Sequence, residues 1–225
     1  MGERSGEGSG SRRSFKRLAR REVAVLSLAG LVLLLATAGA LAVTGDLTQP
    51  AGSAGCVSET GAEACAHGHG LSGPRSVAVS ADGKSVYVAS DLSNDVARFN
   101  RNTTTGAITQ PAGTAGCVSE TGYGPCADGH GLSSAFGVAV SADGKSVYVA
   151  SFISNAVARL VRNTTTGAIT QPAGSAGCVS ETGAEACAHG HGLSGPRSVA
   201  VSADGKSVYV ASEKSGAVAR FNRAP

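Results

Sequence analysis

Short runs in which valine alternates with small or polar residues recur along this chain, and they predict β-strands. The stretch from Ser76 to Ser90 reads Ser-Val-Ala-Val-Ser-Ala-Asp-Gly-Lys-Ser-Val-Tyr-Val-Ala-Ser. Asp82 and Gly83 separate its two alternating runs, an arrangement typical of a β-hairpin. Glycine adopts positive φ without steric cost, and aspartate can bond its own backbone in the turn. The stretch therefore predicts two antiparallel strands.

The hairpin belongs to a tandem repeat with a period of 61 residues. It returns at 137–151 with Gly137 in place of the first serine, and unchanged at 198–212. The whole segment 48–90 reappears intact as 170–212, whereas the middle copy differs mainly at 123–125 and 134–136. Three units follow, at about 45–105, 106–166 and 167–225, and such a period favours an array of similar modules.

Each unit is predicted to hold four short strands followed by an insertion that carries two cysteines. Proline ends the fourth strand because it cannot donate to a β-ladder. In the first unit the strands are predicted at 76–80, 85–90, 96–101 and 107–110, and the insertion at 116–134. No strong helical periodicity is present in the body. The fold class is therefore all-β, with three four-stranded antiparallel blades.

The segment Ser-Ala-Asp-Gly-Lys-Ser-Val-Tyr-Val-Ala-Ser resembles the blade repeat of the YVTN and lactonase-like β-propeller proteins. The resemblance covers most of residues 45–223, three times over. It departs at Ala81, Ala142 and Ala203, where that family favours proline, and in the cysteine insertion. The resemblance implies a propeller of bacterial, exported type, and it implies lactone hydrolysis as one candidate activity.

Three blades are fewer than the four to eight of ordinary closed propellers. The last unit ends after its third strand, while Asp46-Leu47-Thr48-Gln49 matches the fourth strand at 107–110 and has no unit before it. This orphan strand is predicted to complete the last blade. The array is then an incomplete propeller belonging to a longer protein, a homodimer that makes a six-bladed ring, or a different threefold fold such as a β-trefoil.

The first 42 residues are predicted to be a targeting segment, separate from the repeat domain at 43–225. Residues 1–22 hold seven basic and three acidic side chains, so the formal net charge of +3 belongs to this leader. The remainder holds 12 basic and 13 acidic residues, which argues against nucleic acid as a partner. The uncharged stretch 23–43 is either a cleaved signal or an uncleaved membrane anchor. Both place the repeats outside the cytoplasm, secreted or at the cell surface.

Six cysteines form three pairs, each with eight residues between its members. In an exported protein, evenly paired cysteines indicate disulfides. The predicted bridges are Cys56–Cys65, Cys117–Cys126 and Cys178–Cys187. Metal binding by these thiols is the alternative, although zinc sites usually have closer cysteine spacing.

Other polar residues are predicted to serve structure. The His-Gly-His motifs at 67–69 and 189–191 lie in glycine-flanked loops, so we expect no metal and no other cofactor. The equivalent glutamates Glu59, Glu120 and Glu181 are expected to have equal environments, whereas a catalytic carboxylate pair needs different ones. A loop-bonding role is predicted for them, and a turn role for Asp82, Asp143 and Asp204.

Arg75, Phe136 and Arg197 occupy the same position in the three units, directly before the first strand. Arginines beside an aromatic ring could bind an anionic or sugar-like ligand, or they could join neighbouring blades. Because near-identical blades suit several equal contacts, the first functional hypothesis is a surface binding or scaffold protein without catalysis. The second is a lactonase-like hydrolase acting on a lactone or sugar-acid substrate.

Overall fold

The computed structural model describes residues 45–224, in which β-strands form all elements longer than three residues. A short parallel pair, β1 and β2, precedes the first blade. The strands up to residue 128 are β1 (Val57–Ser58), β2 (Ala66–His67), β3 (Pro74–Val79), β4 (Ser85–Ser90), β5 (Asp95–Arg101), β6 (Ile108–Thr109), β7 (Cys117–Ser119) and β8 (Ala127–Asp128).

The second and third units repeat this pattern. Their strands are β9 (Ala135–Val140), β10 (Ser146–Ser151), β11 (Ala156–Arg162), β12 (Ile169–Thr170), β13 (Cys178–Ser180), β14 (Ala188–His189), β15 (Pro196–Val201), β16 (Ser207–Ser212) and β17 (Ala217–Asn222). Single 3-10 turns occur at Gly52–Ala54, Gly113–Ala115 and Gly174–Ala176.

The first two blades are antiparallel sheets whose fourth position is shared by two short strands. In the first blade β3, β4 and β5 are consecutive neighbours, and β5 pairs with both β6 and β7. Between these two strands the chain bulges through Pro111 and the 3-10 turn, and the Arg98 amide bonds the Gly116 carbonyl at 2.8 Å. Part of the predicted insertion therefore completes the outer edge, and the remainder adds β8 in parallel.

The last blade has three strands, ordered β15, β16 and β17. The predicted orphan strand at 46–49 does not form in the described chain, and Leu47 is 99% exposed. Four residues without a paired neighbour cannot sustain a strand, because a strand depends on its ladder of hydrogen bonds. The prediction that this segment completes the last blade of its own chain was therefore wrong.

The first strands of the three blades lie side by side at the centre of the array. The Val138 amide on β9 bonds the Ser76 hydroxyl on β3 at 3.3 Å. On its other side, a Cβ added at Gly137 would lie 2.9 Å from the carbonyl oxygen of Arg197. The one serine-to-glycine difference among the three hairpins therefore provides the space for this close approach of two inner strands.

Hydrophobic cores lie between successive blades. The main cluster joins Tyr87, Ala89 and Val96 of the first blade to Val138 and Val147 of the second. A second cluster joins the second and third blades in the same way. Each blade thus has a leading face, which packs against the blade before it, and a trailing face, which packs against the blade after it.

Arginines at the end of each third strand fasten one blade to the preceding one. Arg162 donates to the Tyr87 hydroxyl at 2.7 Å and forms an ion pair with Asp82 at 3.0 Å. Arg223 repeats the pattern on Tyr148 and Asp143, at 3.1 and 2.7 Å. Hydrogen bonds from the Ser80 hydroxyl and the Lys84 amide, and then the Arg162 guanidinium, lower the pKa of Asp82 to about 2, against the effect of desolvation. The turn aspartates Asp82 and Asp143 thus also join the blades.

The three predicted disulfides are confirmed. Each closes the loop between the two short parallel strands of one insertion, and the described chain has no free cysteine. Such bridges are typical of proteins that mature outside the cytoplasm. Within residues 45–224, no helix is long and apolar enough to cross a membrane. The predicted signal or anchor at 23–43 lies outside the described residues.

Candidate functional site

A cavity of about 730 Å³ lies beside the insertions of the first and second units. We call it the acidic cavity, because three carboxylate side chains line it: Glu59, Asp95 and Glu120. Its other lining groups include His69, Ser72, Ser93, Asn94, Thr121 and Tyr123. The volume is in the range of small-molecule sites, and the hydroxyl, amide and imidazole groups in its lining can hydrogen-bond a hydroxylated ligand.

Asp95 is the least expected group in the acidic cavity. It is 2% exposed, and its Oδ1 has no hydrogen-bond partner among the described residues. Burial raises the pKa of Asp95 to about 7, with a further increase from the charge of Glu59 and a partial decrease from Ser93. A buried carboxylate with an unused oxygen is costly, so its presence in a cavity indicates a functional role.

The carboxylate of Asp95 lies against a glycine of the insertion. A Cβ added at Gly70, whose φ is +71°, would lie 2.8 Å from Asp95 Oδ2. Gly131 holds the equivalent position in the next unit and faces Cys178 instead. Gly70 therefore makes room for a side chain that only the first unit has, since Ala156 and Ala217 stand where Asp95 would repeat.

Strand pairing brings the backbone of Glu120 close to that of Asp95. Asp95 is opposite Ser119 in the β5–β7 ladder, and the Glu120 amide bonds the Asn94 carbonyl at 2.9 Å. Burial raises the pKa of Glu120 to about 7, the Leu132 amide opposes this, and the nearby Glu185 carboxyl raises it further. Two carboxyl groups that line the same cavity thus have pKa values raised to about 7.

The three equivalent glutamates accept backbone bonds in their insertions, as predicted. Glu59 accepts from the Leu71 amide at 2.6 Å, and Glu120 and Glu181 accept from Leu132 and Leu193. The prediction that their environments are equal was wrong. Glu59 interacts with the charge of Asp95, and the other units have alanine at the position of Asp95. Glu120 interacts with Glu185, and the middle unit has Gly124 at the position of Glu185.

The structure brings Arg75, Phe136 and Arg197 together in one cluster. The Cζ atoms of Arg75 and Arg197 lie 5.1 and 4.3 Å from the centroid of the Phe136 ring. Phe152, which the sequence analysis did not single out, lies 5.7 Å from Phe136 and also contacts Arg197 at 4.3 Å. Stacking of this kind stabilises by about 0.5–2 kcal/mol per pair.

Both arginines of the cluster already have acidic partners in their own blades. Arg75 bonds Asp91 at 2.7 Å, and Arg197 bonds Glu213. Asp91, Phe152 and Glu213 share one repeat position, so an ion pair in the outer units is replaced by an aromatic pair in the middle unit. The cluster therefore joins the three blades at their inner strands. Its role in ligand binding stays a prediction.

The histidine motifs do not assemble a metal centre in the described part of the chain. The rings of His67 and His69 are 6.2 Å apart and tilted. No group of three or more His, Cys, Asp or Glu side chains within 45–224 is arranged to hold a metal ion. The backbone of His69 instead binds the side-chain amide of Gln110, at 2.7 and 2.8 Å.

Comparison with known families agrees with this architecture. The model of a family described as "Lactonase, 7-bladed beta-propeller" matches residues 58–225. This chain belongs to that lactonase family. The match confirms the resemblance read from the blade repeat, and it supports the second functional hypothesis rather than a scaffold without catalysis.

Solved structures resemble this lactonase-family chain at the level of the fold. The periplasmic gluconolactonase of Pseudomonas aeruginosa is 24% identical with a TM-score of 0.50, over 68% of this chain and 36% of its own. A protein from Lactobacillus plantarum is 23% identical with a TM-score of 0.50, over 67% and 38%. The chain thus spans little more than a third of these structures. A search of curated proteins found no match.

Two residues of these sites escaped the sequence analysis, and in both cases a signal was present. Asp95 is the only acidic member of its repeat position, and Phe152 changes together with Phe136 in the middle unit. Aligning the units position by position exposes both. In a repeat, the positions that differ are better candidates for specific chemistry than those that are maintained.

Proposed function

We propose that this chain hydrolyses a lactone in the acidic cavity, with Asp95 as the general base. The observation that carries the proposal is the buried, incompletely bonded carboxylate of Asp95, present in one unit only, in a lactonase-family propeller. A base with a pKa near the working pH is the most effective, because it is both substantially ionised and able to accept a proton.

The reaction needs a base and an acid, and the cavity offers both. Asp95 takes a proton from a water molecule, and the resulting hydroxide attacks the lactone carbonyl carbon. The ring carbon–oxygen bond then breaks, and the ring oxygen takes the proton of the Glu120 carboxyl. The product is the open hydroxy acid, and transfer of a proton from Asp95 to Glu120 restores the starting state.

Polar groups in the cavity lining support a sugar lactone as the substrate. Hydroxyl, amide and imidazole groups of Ser93, Asn94 and His69 line the cavity together with the carboxylates. A site built to hydrogen-bond substrate hydroxyls rejects analogues that lack them, because its own polar groups would stay unpaired. The P. aeruginosa neighbour carries the name gluconolactonase, and we take a sugar-acid lactone as the first substrate to test.

The Asp95→Ala variant tests the proposal with little risk of misfolding. The chain already places alanine at this position twice, as Ala156 and Ala217. We expect the variant to lose about 100-fold or more of kcat for gluconolactone, since general-base catalysis contributes about 10²–10⁴-fold. Acid release above the spontaneous rate, followed with a pH indicator, is the measurement.

Asp128→Asn provides the matched control, because Asp128 is an exposed aspartate of β8 outside the cavity lining. We expect it to turn over the lactone like the original protein. Equal turnover by the original protein and by Asp95→Ala would show that Asp95 is not the base. No turnover by the original protein on any sugar lactone would remove the proposed function itself.

We further propose that the domain works outside the cytoplasm, secreted or at the cell surface. The three disulfides and the predicted leader support this location. Labelling of intact producing cells with an impermeant amine reagent tests it. We expect the exposed lysines of the turns to react, and protection of those lysines until the cells are broken would contradict the proposal.

A further inference from the structure

Two carboxyl side chains meet where the insertions of the second and third units touch. Glu185 reaches across from the third unit, and its Oε2 accepts a hydrogen bond from the Gly131 amide at 3.1 Å. The next amide along the chain, that of Leu132, donates to Glu120. Two consecutive amides thus hold two carboxyl groups side by side, and these groups also bond each other. We call the space in front of the Gly131 amide, beside Glu120, a carboxyl subsite.

The same subsite recurs between the insertions of the first and second units, but without its occupant. The repeat period pairs the residues of the two places: Glu59 with Glu120, Gly70 with Gly131, and Gly124 with Glu185. The φ angles of Gly70 and Gly131 are +71° and +69°, so the local backbone is alike in both. Gly124 has no side chain to enter the subsite. The acidic cavity, lined by Glu59, Gly70 and Gly124, lies there instead.

A donor and an acceptor lack partners in this open subsite. Gly70 is buried, and its amide donates to no other described residue, whereas the equivalent amide of Gly131 donates to Glu185. Asp95 lies against Gly70, is 2% exposed, and has no partner for its Oδ1 among the described residues. Buried polar groups are normally paired, so the two together indicate a ligand that accepts one hydrogen bond and donates another.

We propose that the Gly70 amide binds the acyl group of the substrate, first the carbonyl oxygen of the lactone and then the carboxyl group of the hydroxy-acid product. Glu185 on Gly131 shows the same donor with a carboxyl group in place. When hydroxide attacks the lactone, negative charge develops on the carbonyl oxygen, and a fixed amide donor stabilises it. The role in the reaction rests on the proposed function, whereas binding of a carboxyl group does not require hydrolysis.

The charges in the cavity make product binding dependent on pH. The titratable side chains that line it are Glu59, Asp95, Glu120, His69 and Tyr123, and no lysine or arginine is among the described lining residues. The pKa values of Asp95 and Glu120 are raised to about 7, so both ionise as the pH rises through 7. An anionic product therefore binds together with a proton. We expect its affinity to be about tenfold lower at pH 8 than at pH 6.

Gly124→Glu tests the proposal on the full chain. It adds the side chain that both other units have at this position, where Glu63 and Glu185 adopt a φ of +58°. The new carboxyl group should occupy the subsite and accept from the Gly70 amide. In calorimetric titrations at pH 6, we expect gluconate to bind the variant at least about tenfold more weakly than the original protein. The variant should also lose about 100-fold or more of kcat/KM for gluconolactone.

Gly113→Glu is the matched control. Gly113 has a φ of +60°, has no atom within 4 Å of an added Cβ, and lies exposed outside the cavity lining. It receives the same charge and a similar backbone cost, and it should bind gluconate like the original protein. Glucitol, which has the same hydroxyl groups but no carboxyl group, should bind the original protein at least about tenfold more weakly than gluconate.

Amide NMR of the original protein gives a readout that needs no variant to fold. Gluconate should shift the Gly70 amide resonance, whereas the Gly131 amide, which already donates to Glu185, should stay in place. No gluconate binding, a Gly70 amide that does not move, glucitol binding as tight as gluconate, or full gluconate binding by folded Gly124→Glu would overturn the proposal. Gluconate binding at Gly70 without lactone turnover would support the subsite and remove the proposed hydrolysis. Turnover with an unmoved Gly70 amide would do the reverse.

Discussion

At the scale of single residues, the decisive feature is a carboxylate that the fold does not need. Asp95 is buried with an unused oxygen, whereas alanine fills the same position in the other two units. The repeat therefore allows a direct comparison of alanine, which the fold accepts at this position, with a buried carboxylate, which lowers stability. Retaining a costly group is typical of a catalytic site, where stability is traded for chemistry.

This cost gives a prediction for stability. Because the pKa of Asp95 is raised to about 7, the folded protein holds a proton that the unfolded chain releases near pH 4. Stability is thus retained below pH 4 and lost as the pH rises through 7. We expect Asp95→Ala to be more stable than the original protein at pH 8. The pKa of Asp95 is about three higher in the folded than in the unfolded chain, which corresponds to roughly 2–4 kcal/mol.

Urea unfolding at pH 4.5 and pH 8 measures this difference. The gap between the two proteins should be several-fold larger at pH 8, because the buried carboxylate is then ionised. The same gap at both pH values would mean that Asp95 does not titrate with a raised pKa, and would remove the physical basis for its role as a base.

At the scale of elements, the hairpins were predictable and the outer strand was not. Alternating valines and the Asp-Gly turn determine β3 and β4, because their signals are local. The fourth position of the sheet is formed by β6 and β7, which both pair with β5. Between them, from Pro111 onward, the chain does not pair with β5. Only the partner strand β5 determines this return, so no local pattern in the insertion indicated it.

The junction between elements of neighbouring blades offers a test. The Tyr87 hydroxyl donates to the Gly167 carbonyl at 2.6 Å and accepts from Arg162. Tyr87→Phe removes the partner of the Gly167 carbonyl and of the Arg162 Nε, which should cost about 1–3 kcal/mol and lower Tm by about 2–12 °C. Tyr209→Phe, at an uncovered end, should change Tm by less than about 1 °C.

Both substitutions are compared with the original protein by calorimetry under the same conditions. Equal effects of the two would indicate that the internal junction gains nothing from its tyrosine bond. A loss confined to Tyr87→Phe would support the assignment of the Tyr–Arg–Asp contacts as fasteners between blades.

The insertions give a second test at this scale. Each disulfide closes a loop of about ten residues, and the chain-entropy account assigns it roughly 2.5–3 kcal/mol. Replacing Cys117 and Cys126 together by alanine should therefore lower the free energy of unfolding by about that amount, as urea denaturation measures it. An unchanged midpoint would show that the surrounding strands already order this loop.

At the scale of the whole molecule, repetition makes the fold predictable and makes the site hard to find. The blade pattern is present in three similar units, so the hairpins, the disulfides and the family could be predicted from the sequence. Asp95, Phe152 and Gly124 break the repetition, and their effect depends on which blades meet in space. The sequence placed Arg75, Phe136 and Arg197 together correctly because they share one repeat position at the inner strands.

The activity proposed for this lactonase-family propeller depends on two carboxyl groups, Asp95 and Glu120, in one cavity. The most direct measurement is the pH dependence of kcat/KM for gluconolactone, corrected for spontaneous hydrolysis. With Asp95 ionised and Glu120 protonated in the reactive form, both titrating at about 7, we expect a narrow bell centred near pH 7. Asp95→Ala should abolish it, whereas a flat profile, or the same bell in Asp95→Ala, would contradict the account.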